Sequence, residues 1–281
     1  MIHLAPGDPV RIMLGLEATS ESVARLTHQL GLDRPLPVQY LRWISGAVRG
    51  DLGQSIRTGR PVIVEISDRF MATALLALTG MSLAVAVGII AGVTAGANRG
   101  TWVDRLVMIL ATIGVSTPSF WLGLLLILLF CVHLRWLPIA SRVSPQALVL
   151  PATSLGVLAA TVIARLTRAN MVEVLSSDYI RTAEAKGLSG RVVLYKHALR
   201  NALIPVITIV GIQVASLLGG TFVIEQVFAW PGLGTLAVNA IRSRDFPLIQ
   251  AIVLFVASSY VFVNLLVDVT YAVLDPRIKY R

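Results

Sequence analysis

Met71–Gly96 runs for 26 positions without a charged side chain. Such a run restricts the fold more than any other feature of the chain. About 20 apolar residues in helical form cross the hydrocarbon of a bilayer. Inside the bilayer a backbone must satisfy its own hydrogen bonds, which leaves helices and closed barrels. The run is not isolated. Apolar stretches also cover 106–134, 147–164, 202–222 and 247–274. The expected fold is therefore an all-α polytopic membrane protein with five transmembrane helices. Composition agrees: 14% of residues are charged, against about 25% in soluble domains. The net charge of +9 comes from short segments between the apolar runs, where it orients helices in a membrane. It gives no reason to expect nucleic acid as a partner. The single cysteine, Cys131, lies inside an apolar run and excludes an intrachain disulfide or a thiolate cluster. The four histidines are scattered along the chain, so neither a metal site nor a cofactor is expected.

Residues 1–70 read differently. They hold eight Arg and seven acidic residues, as a small solvated region would. Ser20 is placed to cap a helix over Glu21–Leu30, Gly31 to stop it, and Asp33-Arg34-Pro35 to open the next segment. Nothing there spans a bilayer, and no signal peptide is visible in it. The division expected is an extracytoplasmic region at 1–70 and a transmembrane domain at 71–281. Within the spans, Gly80, Gly88, Gly92 and Gly96 suggest close helix packing. Thr117-Pro118 interrupts the second span, giving either a kinked crossing or a crossing plus a re-entrant piece.

Basic residues set the orientation. Arg99, Arg105, seven Lys or Arg between Arg165 and Arg200, and three in the tail place 12 on one side. Arg135, Arg142, Arg242 and Arg244 place 4 on the other. The positive-inside rule then puts 97–105, 165–200 and 275–281 in the cytoplasm. It puts 1–70, 135–146 and 223–246 outside.

The segment 165–200 is too elaborate for a plain connection. Ser177 or Asp178 starts a short helix near Tyr179, Gly187 ends it, and Ser189 starts the next helix. This leaves a short helix between two helix ends, with apolar and basic sides facing the cytosol. One reading is an amphipathic loop on lipid head groups. The other is a docking element for a soluble partner. The residues favour the second: Tyr179-Ile180-Arg181-Thr182-Ala183-Glu184-Ala185-Lys186-Gly187-Leu188, then His197-Ala198-Leu199-Arg200-Asn201-Ala202-Leu203-Ile204-Pro205. This stretch resembles the cytoplasmic signature loop of ABC importer permeases. Ala183 and Gly187 match that pattern's second alanine and glycine, and Leu199 its late leucine. Arg181, Thr182, His197 and Arg200 stand where Glu, Ala, Ile and Pro are usual. That is the form of the loop in the dipeptide, oligopeptide and nickel importer subfamily, including its B-type permease subunits. Leu4–Pro9, Leu32–Pro35, Gly50–Ser55, Pro231–Gly234, Arg244-Asp245, Pro247 and Asp275–Arg277 resemble the same subfamily, so the likeness covers essentially the whole chain.

The resemblance implies a type I importer fold in which this chain carries five of the usual six helices, lacking the first. It implies a homologous permease partner, with a heterodimer expected. It also implies two cytoplasmic ABC ATPases, an external solute-binding protein, and a bilayer around the helices. Residues 179–188 would couple to an ATPase. Glu225, Arg244 and Asp245 would form a gate or contact the binding protein. The cargo would be dipeptides or oligopeptides, with nickel chelates or glutathione as the alternative on the same scaffold. No Gly-x-x-x-x-Gly-Lys-Ser/Thr loop is present. The chain is therefore expected to be non-catalytic, with ATP hydrolysis in its partners. A stand-alone transporter or channel is the competing class, and it has no use for the loop at 165–200. Asn264 with Asp268, and the hydroxyls of Thr112, Ser116, Thr117, Thr153, Ser154 and Ser216 with Gln213, are candidates for lining a passage or for tying helices together.

Overall fold

A computed structural model of the chain describes residues 10–11, 19–138 and 144–274. Its elements are α1 (Ser20–Leu30), α2 (Leu36–Val48), α3 (Val62–Ala97), α4 (Trp102–Ser116), α5 (Ser119–Leu126) and α6 (Pro145–Leu175). They continue with α7 (Asp178–Ala185), α8 (Gly190–Val192), α9 (Leu199–Val227), α10 (Leu233–Arg242) and α11 (Phe246–Leu274). π-helical segments extend α5 over Ile127–His133 and join α8 to α9 over Val193–Ala198. Among the described residues the only β pairing is an isolated bridge between Gln54 and Pro61. The all-α expectation holds. The Leu4–Pro9 and Asp275–Arg277 matches, Arg142 and the side chain of Asp268 lie outside what is described.

The helices fall into two compact units, 1–71 with 232–259, and 72–231 with 260–281. A division in chain order at residue 70 did not anticipate that 232–259 packs with the N-terminal region. In this first unit, α1 is capped one residue earlier than expected. Thr19, not Ser20, accepts from the Ser22 amide, and Ser22 accepts from the Thr19 amide. Gly31 stops the helix at φ 66°. Further on, Leu52, Val62, Ile66, Leu233, Ala240, Leu248, Ala251 and Ile252 form a small apolar core. Phe70 and Phe255 meet edge-on at 5.3 Å.

In the second unit the glycines of α3 act as the spacing predicts. A Cβ at Gly88 would lie 2.8 Å from the Ala160 carbonyl, at Gly92 2.5 Å from Thr167 Cβ, and at Gly96 2.5 Å from Met171 Cβ. Gly156 on α6 returns the contact, 2.6 Å from the Gly80 carbonyl. The two backbones therefore touch along several turns. Facing positions advance in the same direction on both helices, so α3 and α6 run parallel.

That parallel pairing decides what happens at Pro118. α4 and α5 meet at 104°. α4 runs antiparallel to α6, with Asp104 beside Arg168 and Gly114 against Thr161. α5 then brings Gly123 against Phe228. Nearby Trp230 donates its indole N–H to the Ala72 carbonyl at 2.9 Å, far along α3 from Gly96. The bent pair thus covers the distance that α3 covers within this unit. That reach fits a broken crossing better than a re-entrant loop, which would return to the side it left. α9 runs antiparallel to α6 in turn, with Asn170 donating to the Ala202 carbonyl at one end and Gly220 facing Leu155 at the other. Among the described residues four helices are long and apolar enough to cross a membrane, and the bent pair, taken as one span, makes five. α6 has 31 residues, or about 46 Å at 1.5 Å per residue. It therefore outreaches the hydrocarbon of about 30 Å.

Candidate functional site

The short helix α7 follows α6 after two residues. Ser177 takes the extended N-cap conformation, φ −77° and ψ 153°, but its hydroxyl bonds backward to the Val174 carbonyl. The Ser177 carbonyl instead accepts from the Ile180 amide at 3.2 Å, and the Asp178 charge lies at the positive end of the helix. At the other end Gly187 sits at φ 79° with open space where a Cβ would go. Glycine is required there by backbone conformation and not by crowding. The Gly187 amide bonds to the Glu184 carbonyl at 2.9 Å, closing the helix.

The faces of α7 differ from expectation in one respect. Ile180 and Ala183 are buried, packed with Met171, Val93, Val193, Ala198 and Ala202. The apolar side therefore fastens α7 to the ends of α3, α6 and α9 and is not offered to solvent. The exposed set is Asp178, Tyr179, Arg181, Thr182, Glu184, Ala185, Lys186, Gly187 and Leu188. Asn201 on α9 donates to the Tyr179 hydroxyl at 2.8 Å, a second tie between α7 and the next long helix. What remains outward is a largely polar surface with Asp178, Arg181, Glu184 and Lys186 as its charges, the first two 3.6 Å apart. It is held on a helix anchored to three others by its buried face.

Glu225 is fully buried near the end of α9, and Thr73 donates to its carboxylate at 2.6 Å. Its carboxylate is enclosed within this unit in this conformation. The same corner holds Trp230, also fully buried, although the Trp-Pro-Gly segment reads as an exposed loop. Asp245 is 1% exposed. It accepts from the Ser55 hydroxyl and lies 3.3 Å from the Leu248 amide, capping α11. Arg244 is exposed, in the left-handed region at φ 58°. Beside Asp245 lies a cavity of about 310 Å³ whose lining includes Arg57, Arg60, Glu65, Asp68 and Asn239. Much of its polar lining is internally paired: Arg60 with Asp68 at 3.0 Å, and Thr58 with Glu65.

The hydroxyls of Thr112, Thr117, Thr153, Ser154 and Ser216 each bond to a carbonyl one turn back on their own helix. Sequence reasoning missed the ion pair of Asp104 and Arg168. Its signal was present: two opposite charges at span ends assigned to the same membrane side.

With this geometry in view, the family follows from comparison. Residues 84–280 match the family described as binding-protein-dependent transport system inner membrane component. Residues 1–77 match the N-terminal family of the same membrane components. The chain belongs to the inner-membrane permeases of binding-protein-dependent transport systems. It is 49% identical over 280 residues to the glutathione transport system permease protein GsiC of Escherichia coli (strain K12), covering 100% of this chain and 92% of that one. The protein of that name from Salmonella paratyphi A is 48% identical over the same length. Among solved structures, the inward-facing MetNI methionine ABC transporter superposes with a TM-score of 0.63 at 17% identity, covering 75% of this chain and 96% of that chain. An amino acid ABC transporter crystallised with histidines gives 0.58 at 12%, covering 74% and 93%. The type I importer permease fold is thus shared where sequence identity is low. The chain is a multi-pass inner-membrane permease subunit of an ABC importer. Membership in this family implies ATPase and solute-binding-protein partners. The expectation that the first helix is lacking is not supported by these comparisons.

Proposed function

We propose that this permease forms half of the translocation pathway of an ATP-driven importer for glutathione or a closely related short peptide, and that α7 docks one cytoplasmic ATPase. The cargo reading rests on 49% identity, from end to end of this chain, to permeases named for glutathione transport. Import of other dipeptides or oligopeptides is the second reading, which the loop at 165–200 fits equally well, because Arg181, Thr182, His197 and Arg200 mark the subfamily and not its cargo. The permease partner is a homologous, distinct subunit. Residues 97–105, 165–200 and 275–281 face the cytoplasm, and 1–70, 135–146 and 223–246 face outward. The 12-to-4 distribution of basic residues supports this orientation. The alternating directions of α3, the α4–α5 pair, α6 and α9 are consistent with it.

In this mechanism Arg181, Glu184 and Lys186 contact the ATPase, while Ile180 and Ala183 pass its motion into the bundle. ATP binding favours one of two permease states because the ATPase pair grips α7 differently in each, shifting the population between outward and inward access. Glu225, held by Thr73, sits where opening would separate α9 from the start of the second unit's portion of α3. It is assigned to the gate and not to binding-protein docking.

The test is ATP-dependent uptake of labelled glutathione into proteoliposomes holding the full importer with its binding protein. The proposal expects uptake that unlabelled glutathione abolishes. Uptake competed only by unrelated dipeptides would replace the cargo. Absence of any ATP-dependent uptake by an assembled complex would overturn the reading.

A further inference from the structure

The geometry points to Asp104 and Arg168 as a positioning pair that makes the broken crossing α4–α5 follow α6 when the ATPase moves α7. The inference rests on the reading of α7 as the ATPase contact.

The pair is built for fixed geometry. The guanidinium Nε of Arg168 donates to Asp104 Oδ1 at 2.9 Å, and its terminal nitrogen donates to Oδ2 at 2.8 Å. Two parallel bonds hold direction as well as distance, which a lysine in the same place would not do. The Asp104 side chain is 5% exposed and that of Arg168 is 31% exposed. The carboxylate also accepts from the Gly100 amide at 2.9 Å. One side chain therefore joins the α3–α4 turn, the first turn of α4, and α6.

Location supplies the function. Arg168 stands one helical turn before Met171 on α6. Met171 is fully buried and packs in the same cluster as Ile180 and Ala183 of α7. Force applied to α7 thus reaches α6 at Met171 and leaves it one turn away at Arg168. Farther along, α4 meets α6 through shape, with Gly114 against Thr161 and Val157. That contact is apolar and carries no directional bond, whereas the forked ion pair fixes direction as well as distance. Buried ion pairs are poor sources of net stability compared with apolar packing, and fixing register is the best-attested use of them. At this point register decides whether α4 moves with α6 or lags behind it.

The experiment uses the complete importer in proteoliposomes and measures glutathione imported per ATP hydrolysed. It compares Asp104→Asn, Arg168→Met and the apolar double replacement Asp104→Leu/Arg168→Met with the unaltered protein. The double replacement leaves no buried charge without a partner, so it keeps the test open if a single variant fails to fold. The expected result is retention of bound ATPase and of ATP hydrolysis with about a tenfold fall in glutathione per ATP, a typical size for coupling between sites. The double variant should be no worse than either single one. An unchanged import-to-hydrolysis ratio would overturn the inference. So would loss of assembly in the double variant, which would make the pair merely structural. If the unaltered complex imports but carries no ATPase at α7, the reading of α7 fails first and takes this inference with it.

Discussion

Glycine acts in two opposite ways in this chain, and single substitutions separate them. At Gly92 a side chain would collide with Thr167 and the Ala164 carbonyl. Gly92→Leu is expected to lower stability by about 1–3 kcal/mol, as overpacking does, seen as a lower melting temperature of the purified permease. At Gly187 there is room but φ is 79°. Gly187→Ala should cost about 1–2 kcal/mol through backbone conformation alone. Gly190 has neither constraint, so Gly190→Ala serves as the neutral control. Thr167 makes a sharper case. Its hydroxyl is buried without a hydrogen-bond partner among the described residues. Thr167→Val removes an unsatisfied group and keeps the shape, so stability should hold or rise by about 1 kcal/mol. The spacing of Gly80, Gly88, Gly92 and Gly96 was legible because close packing needs small residues at helical intervals. The burial of Glu225 and Asp245 was not, because each satisfies its carboxylate with a residue more than 150 positions away.

Helix α7 divides into a face that fastens and a face that meets solvent, and the two should respond to different assays. Ile180→Ala should destabilise the permease by about 2–5 kcal/mol, as a buried Ile truncation does, with ATPase binding weakened only as a consequence. Arg181→Glu with Lys186→Glu should leave stability within about 0.5 kcal/mol, read from the melting temperature, while reducing ATPase co-purification. If both changes act on stability alike, the division of faces is wrong. The start and stop of α7 were readable from Ser177 and Gly187, because caps and left-handed turns are local events. Its orientation was not. Ile180 and Ala183 find their partners on α3, α6 and α9, and no local pattern tells an apolar stripe facing a bundle from one facing a groove on another protein. The kink at Pro118 shows the same limit. Proline announced the break, but only the parallel course of α3 and α6 favours a broken crossing.

For the whole molecule, the apolar runs and the distribution of basic residues dictated the class, because a bilayer leaves the backbone few solutions. They did not reveal that 232–259 joins the N-terminal region, since that union depends on a small core drawn from both ends of the chain. Coupling of ATP hydrolysis to import depends, in this mechanism, on the outward face of α7 meeting an ATPase. A photo-crosslinking residue at Glu184 in native membranes probes that meeting, with the exposed Trp136 position as the control. Glu184 is expected to crosslink to an ABC ATPase subunit, and Trp136 is not. An ATPase captured at Trp136, or none at Glu184 in an assembled and transporting complex, would refute the assignment of α7.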